Sequence, residues 1–364
     1  MGANGNFRVA IIGGGYAGFN LARLLDAHVD VMLIEAREAF VHNVAAIRAT
    51  VEPDLLDQIV IPYDRLLKRG QVVRERAVAI DAGGVTLVDG QRIDAEAVVV
   101  ATGSHYAAPF KPQGDSAADF KAQMAELATQ IEAAGQVVIV GAGAVGVELA
   151  GEIKVVYPGK TVALVSDQPC LFPMYTEKLH TKLTERLSAL GIALYLGQAA
   201  SGLASTSAPY EGQIDLANGT RLAGLIVPAT GTRIAESPAH ALPGIDRKPN
   251  GQLGVDQWLR PSSLPYVFTI GDLAATGEGM TVVSSTRQTP WLAKTLRKLA
   301  NGASLEGLSP YAPWKVPPIL LPLGPKMGAS VLPLGRGLVV GDTITAAIKG
   351  KQLFIPRYQK EFGR

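Results

Sequence analysis

The chain has 364 residues, 48% of them hydrophobic and 18% charged, which is typical of a globular protein with two or three domains. A formal net charge of +2 gives no support to nucleic-acid binding, and a single cysteine, Cys170, excludes a disulfide framework. The five histidines show no metal-ligand spacing, and neither a membrane span nor a signal peptide is recognisable, so we predict a cytoplasmic protein without a metal.

Residues 7–35 have the pattern of a nucleotide-binding unit. An apolar strand at 8–12 runs into the G-x-G-x-x-G sequence of residues 13–18, residues 19–27 have helical spacing, and a strand at 31–34 ends in an acid. In this motif the glycines allow a tight turn, the approach of a pyrophosphate and close helix packing. The carboxylate of the acid accepts hydrogen bonds from the hydroxyls of a ribose. We therefore predict cofactor contacts at Gly13, Gly14, Gly15, Tyr16, Ala17, Gly18 and Glu35.

The segments that follow alternate in type as far as residue 103. Residues 36–52 predict a loop and a helix, 71–80 are strand-like, and Asp89-Gly90 between two short apolar runs predicts a hairpin. A buried strand at 97–100 then leads into the cofactor-contact triplet of Ala101, Thr102 and Gly103.

The same order of elements recurs at an offset of 128 residues. A strand at 137–140 precedes a second G-x-G-x-x-G, followed by a helix at 147–156, a strand at 161–165 and a hairpin signal at Asn218-Gly219. Gly103 follows Gly13 by 90 residues, and Gly231 of a second Ala-Thr-Gly follows Gly141 by 90 as well. Two copies of one unit are therefore predicted, the second with cofactor contacts at Gly141, Gly143, Gly146, Ser166 and Gly231.

One acid near the end of the chain stands out. A strand at 266–270 ends in Gly271-Asp272, before a helix predicted at 282–301. Asp272 suits a carboxylate that accepts from a sugar-alcohol hydroxyl, and a helix-capping role is compatible with that. Residues 306–364 are Pro-rich at first, and then predict two short strands and a basic tail.

Together these motifs resemble the flavoproteins that have two dinucleotide-binding folds, one for FAD and one for NAD(P)H. The resemblance implies an α/β protein with two Rossmann-like domains of the glutathione-reductase type and a short C-terminal α+β segment. It implies an FAD domain at 1–110 and 235–305, an inserted NAD(P)H domain at 111–234, and a segment at 306–364 that covers the flavin. In that superfamily the first fingerprint, the first Ala-Thr-Gly and the late Gly-Asp serve FAD, and the second fingerprint serves the nicotinamide cofactor.

A closer resemblance is to apoptosis-inducing-factor-like NAD(P)H:quinone oxidoreductases of the ferroptosis-suppressor type. Residues 39–52 (AFVHNVAAIRATVE), 146–158 (GVELAGEIKVVYP) and 349–354 carry it. It implies FAD contacts at His42, Arg48 and Ala77, and catalytic roles for Glu148 near the nicotinamide and Lys349 near the flavin.

Disulfide reductases of this fold carry a cysteine pair beside the flavin, whereas this chain has Cys170 alone. The resemblance therefore implies that the flavin passes two electrons directly to an external acceptor, a quinone or a similar small molecule. Two alternatives stay open: a reductase of a small electron-carrier protein, and a slow FAD- and NAD(P)H-binding redox sensor. Residues proposed for the acceptor site, for which a core role is an equal alternative, are Met280, Val283, Gln288 and the run 317–323.

Two further features concern the nucleotide and the membrane. Ser166 stands where Glu35 stands in the first unit, no Arg follows it, and Asp167 is able to take the ribose role, so NADH is expected with NADPH accepted. The tail at 349–364 mixes basic and apolar residues, which indicates weak peripheral membrane contact. Against this, Pro356 is expected to interrupt a helix there, and the apolar residues are equally suited to covering the flavin domain. The oligomeric state stays open.

Overall fold

The computed structural model describes residues 7–107 and 109–364; residues 1–6 and 108, which belong to the predicted first FAD segment, lie outside it. The strands of the described part are β1 (Arg8–Ile12), β2 (Asp30–Ile34), β3 (Ala39–Val41), β4 (Val60–Pro62), β5 (Gln71–Val73), β6 (Ala77–Asp81), β7 (Gly84–Leu87), β8 (Arg92–Asp94), β9 (Ala97–Val100), β10 (Ser104–His105), β11 (Gln136–Val140), β12 (Thr161–Val165), β13 (Ile192–Tyr195), β14 (Ala200–Ser201), β15 (Tyr210–Leu216), β16 (Arg221–Pro228), β17 (Arg233–Ile234), β18 (Leu253–Gly254), β19 (Val267–Thr269), β20 (Ala274–Ala275), β21 (Ile319–Leu323), β22 (Met327–Leu332) and β23 (Leu338–Val340). Its α-helices are α1 (Tyr16–Leu25), α2 (Asn43–Ala49), α3 (Leu56–Ile59), α4 (Ala117–Ala133), α5 (Ala144–Val156), α6 (Glu177–Ala189), α7 (Val282–Ala300), α8 (Asp342–Thr345) and α9 (Ile355–Glu361).

Five parallel strands form the first sheet, in the order β19-β9-β1-β2-β5. The central strands β1 and β9 are almost wholly apolar and buried, as parallel strands covered on both faces must be. Helices α1 and α7 pack against each other on one face. Because β19 comes from beyond the second unit, the sheet is completed across an insertion, which confirms the predicted split of the first domain.

The second sheet repeats this plan in the order β13-β12-β11-β16-β15-β14. Strand β11 lies between β12 and β16, as β1 lies between β2 and β9. The predicted hairpin at Asn218-Gly219 joins β15 to β16, and β16 continues into the parallel sheet. In the first unit the hairpin strands β7 and β8 instead belong to a separate antiparallel sheet with β6. The fold class is therefore as predicted, and the domain boundaries remain a prediction.

Several element bounds differ from the sequence prediction: α5 begins at Ala144 rather than at residue 147, and residues 306–364 contain three strands where two were predicted. Two further differences have a clear physical reason. The run at 71–80 forms two strands, β5 and β6, rather than one. The chain leaves the parallel sheet at the charged residues 74–76, and β6 then begins the antiparallel sheet of β6, β7 and β8. Helix α1 begins at Tyr16 rather than at residue 19, because Gly15 has an extended backbone (φ −66°, ψ −171°) and caps the helix directly.

The C-terminal segment is an antiparallel sheet of β21, β22 and β23, followed by α8, a π-helical turn (Ala346–Gly350) and α9. The sheet packs on α5 and α6 of the second unit. The tail packs on the first unit, where the apolar side chains of Leu353, Ile355, Tyr358 and Phe362 are buried. These side chains therefore cover part of the first unit, and this covering role was the alternative to membrane contact.

Two details of this tail bear on the membrane expectation. Pro356 lies in the first turn of α9, where proline is tolerated, and so does not interrupt the helix. Within the described residues, no helix is long and apolar enough to cross a bilayer.

Gly151 sets the distance between α5 and β21, and this gives a test of the packing. A Cβ at this position would lie 2.6 Å from the Cα atom of Leu323, so Gly151→Ala must push helix and strand apart. We expect a net loss of stability, because overpacking costs about 1–3 kcal/mol and outweighs the roughly 0.5–1 kcal/mol that alanine gains in a helix. Urea unfolding measures it, with Gly159→Ala as control because a Cβ there meets nothing within 4 Å. Equal midpoints for the two variants would contradict this packing.

Candidate active site

A cavity of about 1050 Å³ lies between the two nucleotide-binding units and the C-terminal segment. Its wall includes the loops that follow β1, β9, β11, β12 and β16, so it lies at the carboxyl ends of both parallel sheets. Ligands of open α/β sheets bind at this edge. The predicted contacts Gly15, Tyr16, Ala17, Ala101, Thr102, Gly103, Gly141, Gly143, Ser166, Gly231, Asp272, Glu148 and Lys349 all line it.

The three fingerprint glycines of the first unit have different surroundings. Gly13 has a left-handed backbone (φ +100°), and a Cβ there would lie 2.5 Å from the carbonyl oxygen of Ala101. A Cβ on Gly18 would collide with the carbonyl of Gly13. A Cβ on Gly15 meets nothing within 4 Å, so this glycine leaves free space in the cavity beside the start of α1.

The second unit divides these tasks in the same way. Gly141 is left-handed (φ +116°) and faces the carbonyl of Ala229, and Gly146 packs against the carbonyl of Gly141. Gly143 is open on the cavity side. Each unit thus combines two glycines that the fold requires with one that the fold does not use.

Glu35 is not free in this structure, which differs from the simple prediction of a ribose acceptor. Its buried carboxylate accepts hydrogen bonds from the Gly14 N–H (2.5 Å) and from the backbone (2.9 Å) and guanidinium (3.1 Å) of Arg37. Burial acts to raise the pKa of Glu35, but Arg37 outweighs it and the pKa is lowered. Arg37, which the sequence reasoning missed, is the charged member of this pair that lines the cavity.

Asp272 lies in a 3-10 turn (Gly271–Leu273) just beyond β19, close to the strand end at which it was predicted. One carboxylate oxygen accepts from the Ser104 hydroxyl (2.5 Å) and lies 3.4 Å from the Lys111 ammonium group. Lys111 also donates to the Ser104 hydroxyl (2.6 Å). Ser104 and Lys111 line the cavity and were not predicted, because neither lies in a recognisable motif.

Glu148 and Lys349 form a buried ion pair in the cavity wall. The Lys349 ammonium group donates to both carboxylate oxygens at 2.7 Å and to the Leu320 carbonyl at 3.1 Å, so its three hydrogens are in use. Burial raises the pKa of Glu148, and Lys349 opposes that rise. The structure thus joins two residues that are 201 positions apart in the sequence.

A second buried ion pair lies directly behind the first. Arg48 of α2 donates from Nε (3.0 Å) and Nη2 (2.8 Å) to the two oxygens of Glu152, one helical turn beyond Glu148 on α5. Nη2 also donates to the Gly350 carbonyl at 2.7 Å. Arg48, predicted as a cofactor contact, is not among the residues that line the cavity.

Two other predicted contacts also lie behind the wall. The His42 ring donates from Nε2 to the Leu353 carbonyl (2.5 Å), which leaves Nδ1 to accept from the Tyr16 hydroxyl (2.6 Å). Burial lowers the pKa of His42 to about 4, so the ring is neutral at pH 7. Ala77 is buried in β6, away from the cavity lining.

The residues proposed for the acceptor site divide into two groups. Met280 and Val283 line the cavity, together with residues 318–320 of the proposed run. Gln288 does not; its buried side chain accepts from the Gly271 N–H at 2.6 Å and so fixes the turn before Asp272. For Gln288 the core interpretation is therefore the one the structure supports.

A family model for pyridine nucleotide-disulphide oxidoreductases matches residues 7–290. The chain belongs to this family. It is therefore an FAD-dependent oxidoreductase that uses NAD(P)H, as the paired fingerprints predicted.

The relatives of this oxidoreductase extend over nearly its whole length. It is 31% identical to apoptosis-inducing factor homolog B of Dictyostelium discoideum, with 96% of this chain and 95% of the relative covered. It is 28% identical to ferroptosis suppressor protein 1 of Taeniopygia guttata, with 99% and 97% covered. Its fold resembles that of the sulfide:quinone oxidoreductase from Aquifex aeolicus, with a TM-score of 0.77 at 16% identity, over 98% of this chain and 91% of that chain. The predicted resemblance to apoptosis-inducing-factor-like proteins is confirmed.

Features of the cavity itself, separate from the similarity to relatives, suit two bound nucleotides. The Oγ1 of Thr102 and the Oδ1 of Asn43 are buried and have no hydrogen-bond partner among the described residues, although both side chains line the cavity. Buried polar atoms are normally paired, so these two suit a polar ligand. The open sides of Gly15 and Gly143, each at a helix start, leave room for a phosphate in each unit.

Matched substitutions at these two glycines test the assignment of the units. Gly15→Ala and Gly143→Ala both keep an extended backbone without a clash in the protein, so neither should lower the stability of the FAD-free protein. We expect Gly15→Ala to weaken FAD retention by about 1–3 kcal/mol, the usual cost of overpacking by one methyl group. Gly143→Ala should keep its FAD and require more NADH for half-maximal flavin reduction.

Flavin absorbance per chain and an NADH titration of flavin bleaching measure the two effects. If Gly143→Ala lost FAD while Gly15→Ala kept it, the two units would be assigned the wrong way round.

Proposed function

We propose that this flavoprotein is an NAD(P)H:quinone oxidoreductase. The supporting observation is the character of the cavity wall between the C-terminal segment and α7, where the side chains of Met280, Val283, Ile319, Leu320 and Phe354 are apolar. Such a wall suits a flat, largely apolar acceptor and offers little to a charged one. The overall reaction is NAD(P)H + H⁺ + quinone → NAD(P)⁺ + hydroquinone, in which the dihydronicotinamide is oxidised by two electrons and the quinone is reduced.

The presence of a single cysteine supports a direct transfer of electrons from the flavin to the acceptor. Cys170 lines the cavity beside Asp167 and Gln168, in the loop that follows β12 of the NAD(P)H unit. A dithiol relay needs two cysteines, and the chain has one. Bound FAD would supply the hydride acceptor and the two-electron donor of the reaction, and the protein supplies binding and alignment.

Glu148 is the residue we propose to orient the nicotinamide. It lies in the second turn of α5, and Lys349 uses one lone pair on each of its oxygens. A carboxylate has about four such acceptor sites, so room remains for an amide N–H of the nicotinamide. Because Lys349 neutralises the carboxylate, the neutral carboxamide and the quinone ring face a wall with no net charge from this pair.

The adenosine end of the second unit favours NADH in our proposal. Asp167 is the acid at the end of β12, and it lines the cavity with Ser166 and Gln168. A carboxylate there suits a ribose with two free hydroxyls and repels a 2′-phosphate. Among the basic lining residues of the described chain, Arg37 belongs to the FAD unit, Lys349 and Arg357 belong to the C-terminal segment, and Lys111 donates to Ser104 of the FAD unit.

Steady-state NADH oxidation tests this function. We expect consumption to rise severalfold when a short-chain, water-soluble quinone is added, with one hydroquinone formed for each NADH and a lower kcat/KM for NADPH. A small electron-carrier protein, such as a ferredoxin, should give no comparable rise. Stimulation by the carrier alone would favour the carrier-protein reductase, and slow turnover with every acceptor would favour the redox sensor.

A further inference from the structure

The strap that carries Lys349 is held from behind by residues that do not line the cavity. This strap, residues 349–354, links the π-helical turn to α9. Arg48 donates to its Gly350 carbonyl at 2.7 Å, and the same guanidinium makes a two-pronged ion pair with Glu152. We propose that Arg48 and Glu152 are positioning residues, which hold the strap so that the Lys349 ammonium group stays on Glu148.

The backbone of the strap needs such a restraint. Leu353 (φ 49°) and Phe354 (φ 62°) are consecutive residues in the left-handed region, which residues other than glycine occupy at a cost. Conformations of this kind persist where the surrounding structure enforces them. Two side chains of the FAD unit donate hydrogen bonds to the backbone of the strap. Arg48 donates to the Gly350 carbonyl, and His42 donates to the Leu353 carbonyl (2.5 Å).

The charges explain why the clamp acts on Lys349 in particular. Glu148 and Glu152 are four residues apart on α5, hence on one face, and both are buried. Burial raises the pKa of Glu152, and the charges of Arg48 and Lys349 oppose that rise. While Arg48 forms an ion pair with Glu152, the Lys349 ammonium group can pair with Glu148 alone. Without that guanidinium, two buried carboxylates would compete for one ammonium group, and Lys349 would be drawn away from Glu148.

The network also joins the three parts of the molecule. Arg48 comes from α2 of the FAD unit, Glu148 and Glu152 from α5 of the NAD(P)H unit, and Lys349 from the C-terminal segment. The inference rests on the proposed role of the Glu148–Lys349 pair in flavin reduction and does not depend on which acceptor is used.

The main variant is Arg48→Met/Glu152→Leu, which removes the hydrogen bond to the Gly350 carbonyl and leaves no unpaired buried ion. Because Glu152 is removed as well, no second carboxylate competes for Lys349, and this variant tests the hold on the strap separately from the competition between the carboxylates. Its matched control is Arg186→Met/Asp342→Asn, because the Arg186–Asp342 pair (2.9 Å) also ties the NAD(P)H unit to the C-terminal segment but touches neither the strap nor the cavity. Arg48→Lys serves as a second variant, since a lysine keeps the charge but cannot serve Glu152 and the Gly350 carbonyl with one fork.

Three measurements are made on the FAD-bound proteins. They are the FAD content per chain, the amide hydrogen exchange of residues 349–354, and the limiting rate of flavin reduction by NADH. For the main variant we expect unchanged FAD content, faster exchange in the strap and a reduction rate at least tenfold lower, with the control at the wild-type values. Arg48→Lys should lie between the two.

A combination with Lys349→Met shows whether the clamp acts through Lys349. The rear-pair variant should then reduce no more slowly than Lys349→Met alone. A further multiplicative loss would overturn the proposal, as would wild-type exchange and reduction rates in Arg48→Met/Glu152→Leu. Loss of FAD from that variant or from Arg48→Lys would also overturn it, and would return Arg48 to the flavin contacts. If the double variant does not fold, Arg48→Lys decides by the same three measurements.

The single variants Glu148→Gln and Lys349→Met separate this inference from the function on which it rests. If neither slows flavin reduction, the proposed role of the front pair fails. If both slow it and the rear-pair variant does not, the front pair stands and the clamp alone fails.

Discussion

Two buried ion pairs, Glu148–Lys349 and Glu152–Arg48, connect the two nucleotide-binding units and the C-terminal segment of this flavoprotein. Glu148 and Glu152 bring two negative charges on one face of α5, and each is matched by a cation from a different part of the chain. Burying such a network is costly unless every member is paired, and removing a single partner leaves an uncompensated charge. The arrangement therefore favours one relative position of the first unit, the second unit and the C-terminal segment, and the cavity between them depends on that position.

Within each unit, a close approach of two backbone segments prepares the nucleotide site. Gly13 and Gly141 lie against the carbonyls of Ala101 and Ala229, so each fingerprint turn packs on the Ala-Thr-Gly strand end of its own unit. This contact therefore brings the two motifs of each unit together in space. A methyl group would fit within the protein at Gly15 and at Gly143, so a demand for glycine at those positions has to come from a ligand.

The sequence predicted most of what local pattern controls and little of what long-range pairing controls. The parallel strands, the helices after both fingerprints and the late Asp272 were found because each has a periodic or motif signature. Helices α4 and α6 were not predicted. Arg37 was missed although it lies two residues beyond Glu35, and Glu152 although its helical spacing from Glu148 was a usable signal. No local signal could have paired Arg48 with Glu152, or His42 with the Leu353 carbonyl, because those partners are 104 and 311 residues apart. The same limit explains why the apolar tail residues suggested a membrane surface when their partners are in the core.

The most direct test of the account is an anaerobic double-mixing experiment. The flavoprotein is first reduced with one equivalent of NADH and is then mixed with a soluble quinone, while flavin absorbance and hydroquinone formation are followed. Direct transfer predicts that the oxidised flavin spectrum returns in a rapid phase whose rate increases with quinone concentration, with one hydroquinone formed for each FAD. Flavin that stays reduced in the presence of excess quinone would contradict the proposed function.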